Sequence, residues 1–239
     1  MKLDILVLAV HPDDAELACS GTILKHIALG KKVGIVDFTR GELGTRGTAE
    51  TRDLEAADSA KILGLHAREN LGLKDGFFKN DEAHQLEVIR MIRKYQPEII
   101  LSNALRDRHP DHGRASNLAT DSCFLAGLIK IKTQDNGVEQ EAWRPRLLLQ
   151  YIQDEYIKPD VIIDITPYIE TKIKSIQAFK TQFFTPDAEE GPATYISSPD
   201  FFESVIGRAR EMGKSIGATY GEGFTSHKLL GVESLFDLR

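Results

Sequence analysis

Cysteine is scarce in this chain: two in 239 residues, Cys19 and Cys123, with no C-x-x-C spacing. A disulfide framework and a cysteine-ligated metal site are therefore not supported. No apolar run reaches the roughly 20 residues of a membrane span. The N-terminus lacks the basic start and cleavage site of a signal peptide, so the expectation is a cytoplasmic protein without membrane contact. Positive charge is not in excess, with 30 Lys and Arg against 36 Asp and Glu and a net charge of −6. That balance argues against nucleic acid as a partner. The first apolar run is followed by His11 to Gly21, HPDDAELACSG. The glycine pattern that cradles a dinucleotide phosphate is missing from it.

What is present is enough for a sizeable core, with 41% apolar and 28% charged residues. The length fits a single domain spanning 1–239. Leu3–Val10 is almost continuously apolar, as suits a strand buried on both faces of a parallel sheet. A helix is expected over 21–29, with Ser20 as its cap and Gly30 as its stop. Strands follow at 33–38, 68–71, 98–101, 146–152 and 161–165. Helices are expected over 50–63, 82–95, 111–128, 167–182 and 199–217. This alternation implies an α/β fold, a Rossmann-like and mostly parallel sheet with helices on both faces. The segments 39–48, 134–145 and 183–198 read as loops, and the last is long enough to serve as a lid or binding segment.

Two acid–histidine clusters stand about a hundred residues apart, each after an apolar run. The first is His11-Pro12-Asp13-Asp14 and the second is Arg108-His109-Pro110-Asp111-His112. Ligands in open α/β sheets bind beyond the carboxyl ends of strands. Two such ends would bring together three or four nitrogen and oxygen donors with a carboxylate and an imidazole to spare, as a hydrolytic metal site requires. Either cluster alone is explained by turn and helix-cap duties. The two together, each at a strand end, favour a metal site. Cys19 is expected in the core, and His26 and His66 in structural or solvated positions.

These residues resemble the LmbE-like or PIG-L-like family of zinc-dependent N-acetylglucosamine deacetylases. The likeness rests on His11-Pro12-Asp13-Asp14-Ala15-Glu16 with His109-Pro110-Asp111-His112, and it covers most of the chain. The segments Thr39–Thr48, Glu69–Gly76 and Tyr220–Phe224 resemble more specifically the bacillithiol-biosynthesis branch, which deacetylates N-acetylglucosaminyl malate. The resemblance implies a single Zn²⁺ per chain, or another divalent metal, on His11, Asp14 and His112. It implies Asp13 as general base and His109 as a second catalytic group supporting the oxyanion in its protonated form. Asp111 either orients His109 or serves the helix dipole. Glu16 is expected at the helix entry or behind the ligands rather than in catalysis.

Arg40, Arg46, Arg52, Arg106 and Arg108 fall near the same predicted sheet edge. They suit a small anionic sugar conjugate, because a guanidinium fork matches a carboxylate. In the resembling branch, arginines equivalent to Arg52 and Arg108 contact the substrate. The alternative is bracing against Glu42, Glu50 or Asp107. Alternative activities are deacetylation of another GlcNAc conjugate and amide hydrolysis of a mycothiol-like conjugate. A non-catalytic sugar-binding protein would not require Asp13 and His109. Similar proteins assemble as homo-oligomers, which is the expectation here.

Overall fold

A computed structural model describes residues 1–184 and 191–238. Its frame is a seven-stranded sheet in the order β3-β2-β1-β4-β7-β9-β8. The strands are β1 (Ile5–Ala9), β2 (Val33–Thr39), β3 (Ala67–Leu73), β4 (Ile99–Ser102), β7 (Leu147–Tyr151), β8 (Val161–Asp164) and β9 (Gly221–Ser226). The helices are α1 (Asp14–Ala28), α2 (Ala49–Leu63), α3 (Glu82–Tyr95), α4 (Pro110–Leu125), α5 (Ile169–Gln177) and α6 (Pro199–Ser215). Strands β5 (Gln134–Asp135) and β6 (Val138–Glu139) form a separate hairpin. Among the described residues no helix is long and apolar enough to cross a membrane.

The apolar run at the N-terminus becomes the central strand because both of its faces are covered. Ile5, Val7 and Ala9 pack with Ala15, Ala18, Cys19 and Ile23 of α1. Leu6, Leu8 and Val10 pack with Val88, Ile89, Ile92 of α3 and Leu118, Ala119 of α4 on the other side. This is the two-residue alternation of a strand, read on two apolar faces. β1 pairs in parallel with β2 on one side and β4 on the other. The chain order reverses between β1 and β4, so a crevice opens beyond their carboxyl ends. Both acid–histidine clusters emerge there.

Several local expectations are corrected, among them the loop at 134–145, whose start forms the β5–β6 hairpin. The first helix begins at Asp14, seven residues before the apolar periodicity starts, and Ser20 is a buried mid-helix residue rather than a cap. The helix expected over 167–182 is a 3-10 turn (Thr166–Tyr168) followed by the shorter α5. β9 has no counterpart among the expected strands. It inserts antiparallel between β7 and β8, where Gly213 and Ile162 lie so close to Gly221 that a side chain there would collide with them. The expected loop at 183–198 ends in a 3-10 turn (Tyr195–Ser197); its residues 185–190 lie outside those described.

β9 also delivers Glu222 to the backbone of α1. The Glu222 carboxylate accepts from the N–H groups of Gly21 (2.9 Å) and Thr22 (2.6 Å). Lys172 of α5 donates to Glu222 (2.8 Å) and to the carbonyls of Glu16 (3.0 Å) and Leu17 (2.8 Å). Both side chains are buried. Removing one partner of such a pair leaves an uncompensated buried charge, at a cost of about 3–5 kcal/mol. Lys172→Met should therefore lower the denaturant midpoint by an amount equal to about 3 kcal/mol or more. Leu229→Ser, at a fully exposed site, should shift it by no more than about 0.5 kcal/mol. Equal midpoints for the two variants would refute this account.

Candidate active site

The loop after β1 and the entry to α1 carry His11, Asp13 and Asp14; the entry to α4 carries His109, Asp111 and His112. Pro110 occupies the first turn of α4, where a missing N–H is harmless. His109 is its N-cap, with ring Nδ1 accepting from the Asp111 backbone N–H at 3.3 Å.

Asp14 is the meeting point. One of its oxygens lies 3.2 Å from His112 Nε2 and the other 3.6 Å from His11 Nδ1. The Asp14 carboxylate also accepts from the His11 N–H (2.9 Å), Asn103 Nδ2 (3.1 Å) and Gln153 Nε2 (2.9 Å). The outer nitrogen of each imidazole is held by a further carboxylate: His11 Nε2 by Asp75 at 3.0 Å, and His112 Nδ1 by Asp107 at 2.5 Å. Carboxylates behind histidines fix the ring orientation and the nitrogen presented to a metal. The inner donors match the edge of a tetrahedral zinc site, about 3.3 Å for bonds of about 2.0–2.1 Å. His11, His109 and His112 also each present a ring nitrogen within 4.8 Å of the others. His11, Asp75 and Asp111 form a second such group. The residues present thus fit a divalent ion, with Asp14 between His11 and His112 beside these groups.

Asp75 and Asp107 are not singled out by the sequence. Each lies in a turn-like stretch, and only the fold brings it behind a histidine. Asp107 is itself fixed by the backbone N–H groups of Arg108 and Glu155 (2.9 and 2.7 Å).

The electrostatics follow from burial and pairing. Burial opposes charge on His11, but Asp111, Asp14 and Asp75 outweigh it and hold its pKa well above the usual histidine range. Burial likewise opposes charge on His112, and Asp14 and Asp107 raise it to about 9. Asp14 is held well below the ordinary carboxylate range, His112 and His11 overcoming its burial. Asp13 moves the other way. Burial pushes it up to about 7, with Arg52 opposing and Asp14 adding to the rise.

Asp13 sits at φ 134°, ψ −24°, in the region that side-chain-bearing residues rarely adopt. Such strain costs on the order of 1–3 kcal/mol and persists only where neighbours impose it. Arg52 imposes it here, bonding Asp13 Oδ2 and the Pro12 carbonyl, each at 2.7 Å. Gly41 lets this happen, since a Cβ at that position would fall on the Arg52 guanidinium.

These contacts show what two of the expected site residues touch. Arg52 lines the cavity and is buried against Asp13 and the backbone carbonyls of Pro12 and Gly41. Asp111 does not orient His109 through its carboxylate, which accepts from the Gly76 N–H (2.9 Å) and Arg114 (2.6 Å) and lies 3.8 Å from His11. His109 is held below the usual histidine range by burial and by His11 and His112. With Nδ1 accepting the cap bond, Nε2 is its remaining ring nitrogen.

The other residues fall where bracing predicts. Arg40 pairs with Asp53 and Glu50, and Arg106 with Glu155. Arg108 bonds Asp154 at 3.1 Å and lies over the Tyr195 ring. Glu16 points away from the site to Arg68 and Ser59, both at 2.6 Å. Cys19 and Cys123 are buried and unpaired, and His26 and His66 bond backbone groups.

His11, Asp13, Asp14, His109 and His112 all line one cavity of about 360 Å³. The same cavity is also lined by Arg46, Arg108, Arg208, Asp154, Tyr195, Phe201 and Val205. That volume is within the range of small-molecule sites.

Comparison with known proteins adds to this geometry. Residues 6–124 match the family described as GlcNAc-PI de-N-acetylase, PIG-L. A diacetylchitobiose deacetylase of Thermococcus kodakarensis is 28% identical over 192 residues, 75% of this chain and 70% of the relative. A probable N-acetyl-alpha-D-glucosaminyl L-malate deacetylase 2 of Bacillus subtilis is 26% identical over 199 residues, 76% of this chain and 84% of the relative. Among solved structures, the conserved protein TT1542 from Thermus thermophilus superposes with a TM-score of 0.85 at 34% identity, covering 97% of this chain and 98% of that one.

The donor geometry predicts about one tightly held divalent ion per chain. Asp14→Ala should abolish retention of Zn²⁺ on gel filtration. Asp107→Asn should weaken Zn²⁺ binding by about 10–100-fold in calorimetry, as loss of an orienting partner does. Unchanged affinity in Asp107→Asn would remove it from the site.

Proposed function

The chain belongs to the PIG-L family of de-N-acetylases, and from that premise we propose that it is a metal-dependent amide hydrolase releasing acetate from an N-acetylglucosaminide with an anionic aglycone. N-acetylglucosaminyl malate, the bacillithiol-type substrate, is the specific candidate. The observation that carries the reading is the Asp14 carboxylate set between two imidazoles, each braced by its own carboxylate, with Asp13 and His109 lining the same cavity. A pure binding site needs neither of the last two.

His11, Asp14 and His112 would hold the ion, zinc or another divalent metal, which when bound supplies a Lewis acid and lowers the pKa of water. The chain's own groups then divide the proton work. Asp13 has one oxygen committed to Arg52, while Oδ1 takes no hydrogen bond among the described residues. Oδ1 accepts the proton of the attacking water and returns it to the leaving amine. Arg52 keeps that carboxylate in place. His109, anchored at Nδ1 by the α4 backbone, offers Nε2–H to the oxygen that becomes negative as the acetamide carbon turns tetrahedral. The cavity wall of Phe201, Val205 and Ile196 shields the reacting amide from bulk water.

The anionic aglycone is supported by the arginines lining the cavity and by the malate-named relative. The chitobiose-named relative favours an uncharged sugar in the same place. Acetate release from N-acetylglucosaminyl malate, diacetylchitobiose and free N-acetylglucosamine separates them. The malate conjugate should have the highest kcat/KM, and a higher value for diacetylchitobiose would replace the malate reading. No acetate from any of the three, with metal bound, would defeat the deacetylase reading.

Two variants test the assigned roles. Asp13→Asn should retain the metal and lose about 10²–10⁴-fold in kcat, because an amide takes no proton from water. If it loses the metal instead, Asp13 is a ligand. His109→Ala should keep its metal and lose on the order of 100-fold or more in kcat; a near-normal kcat removes it from the mechanism.

A further inference from the structure

Helix α6 lays a stripe of Phe201, Val205 and Arg208 along the cavity, the four- and three-residue spacing of a single helix face. The first two are apolar and buried. The third is a guanidinium whose side chain is only 18% exposed. Its nearest carboxylate oxygen is Asp154 Oδ1 at 3.7 Å, beyond hydrogen-bond reach. That carboxylate already accepts from Tyr195 at Oδ1 (3.1 Å) and from Arg108 at Oδ2 (3.1 Å). Among the described residues Arg208 therefore makes no hydrogen bond, although it carries five N–H donors in a fixed fork.

The neighbouring arginines are differently placed. Arg52 is committed to Asp13 and two backbone carbonyls. Arg108 is about half exposed, paired with Asp154 and stacked on Tyr195. Arg208 combines partial burial, a position on the cavity wall and donors without a protein acceptor. Withdrawing a guanidinium from water without protein acceptors has a cost, and burial accordingly holds its pKa below the usual arginine value. A planar oxyanion entering the cavity would relieve that cost with two parallel hydrogen bonds.

We propose that Arg208 is the specificity-determining residue of the cavity, receiving a carboxylate of the aglycone while the sugar's acetamide lies at the Asp13–His109 end. Asp154 has a matching duty. By holding Arg108 and Tyr195 it fixes the wall beside the fork, and its proximity keeps Arg208 from being a site for any stray anion. The assignment rests on the proposed deacetylase reading for its substrate, but not for the anion contact itself.

The test compares N-acetylglucosaminyl malate with its dimethyl ester on the metal-loaded chain, measuring free amine. In the unmodified protein the diacid should exceed the ester by about tenfold or more in kcat/KM, mainly through KM. Arg208→Gln should bring that ratio to about one, and Arg208→Lys, which keeps the charge but not the fork, should retain part of it. Calorimetric titration with malate alone gives a readout that needs no turnover: binding by the unmodified protein should weaken by about tenfold or more in Arg208→Gln. An equal ratio in the unmodified protein, or a ratio and a malate affinity untouched by Arg208→Gln, overturns the proposal. If neither conjugate yields amine but malate binding depends on Arg208, the deacetylase reading falls and the carboxylate site stands.

Discussion

Everything in the crevice depends on keeping one carboxylate, Asp14, ionised and immobile inside the protein. A buried charge of that kind survives only when its lone pairs are occupied. The protein satisfies it from three strand ends. His11 follows β1, Asn103 follows β4 and Gln153 follows β7, and each donates to Asp14. Asn103 also donates to Gln153 and accepts from the Val10 N–H. The donor set is thus held by the sheet itself, and rigid elements give tighter geometry than loops.

The same logic extends outwards in rings. Asp75 and Asp107 restrain the histidines, and backbone N–H groups restrain those aspartates. Arg68 ties Glu16 of α1 to Asp37 of β2 through three contacts of 2.6–3.1 Å. The strained Asp13 backbone is where this order is most demanding: its carboxylate is bound by Arg52, beside the carboxylate that anchors the crevice.

The central architecture is legible in the sequence because its signals are local. The β1 residues are apolar on both faces, the capped helices α2 and α3 begin and end on turn chemistry, and the two acid–histidine clusters are contiguous in sequence. The start of α1 is not legible, because the buried face of its first two turns carries Asp14, Glu16 and Ser20, whose side chains find their partners only in the folded chain. β9 escapes notice for a related reason. Gly221 and Gly223 are there for close approach to Gly213 and Met212, and glycine carries no strand signal. The hairpin at 134–139 lies in a segment that reads as a loop by its polarity. Its one local mark is Asn136-Gly137, whose positive φ angles of 49° and 79° are those of a tight two-residue turn. Asp75, Asp107 and the role of Arg52 depend on distances across the fold, which no spacing in the sequence encodes. Arg208 leaves a trace, as the cation in an otherwise apolar helical stripe.

The Lys172–Glu222 pair on α1 has a consequence in time. The amides of Gly21 and Thr22 are bound by a residue 200 or more positions later. At a synthesis rate of roughly 5–20 residues per second, that interval lasts on the order of 10–40 s. The segment bearing His11 and Asp14 is among the earliest made, and the carboxylate that binds its helix is among the last. Until β9 emerges, α1 has no carboxylate to receive those amides, and the Lys172 ammonium has only the Glu16 and Leu17 carbonyls to bind. The anchoring of the helix that starts at the crevice is therefore completed only late in synthesis.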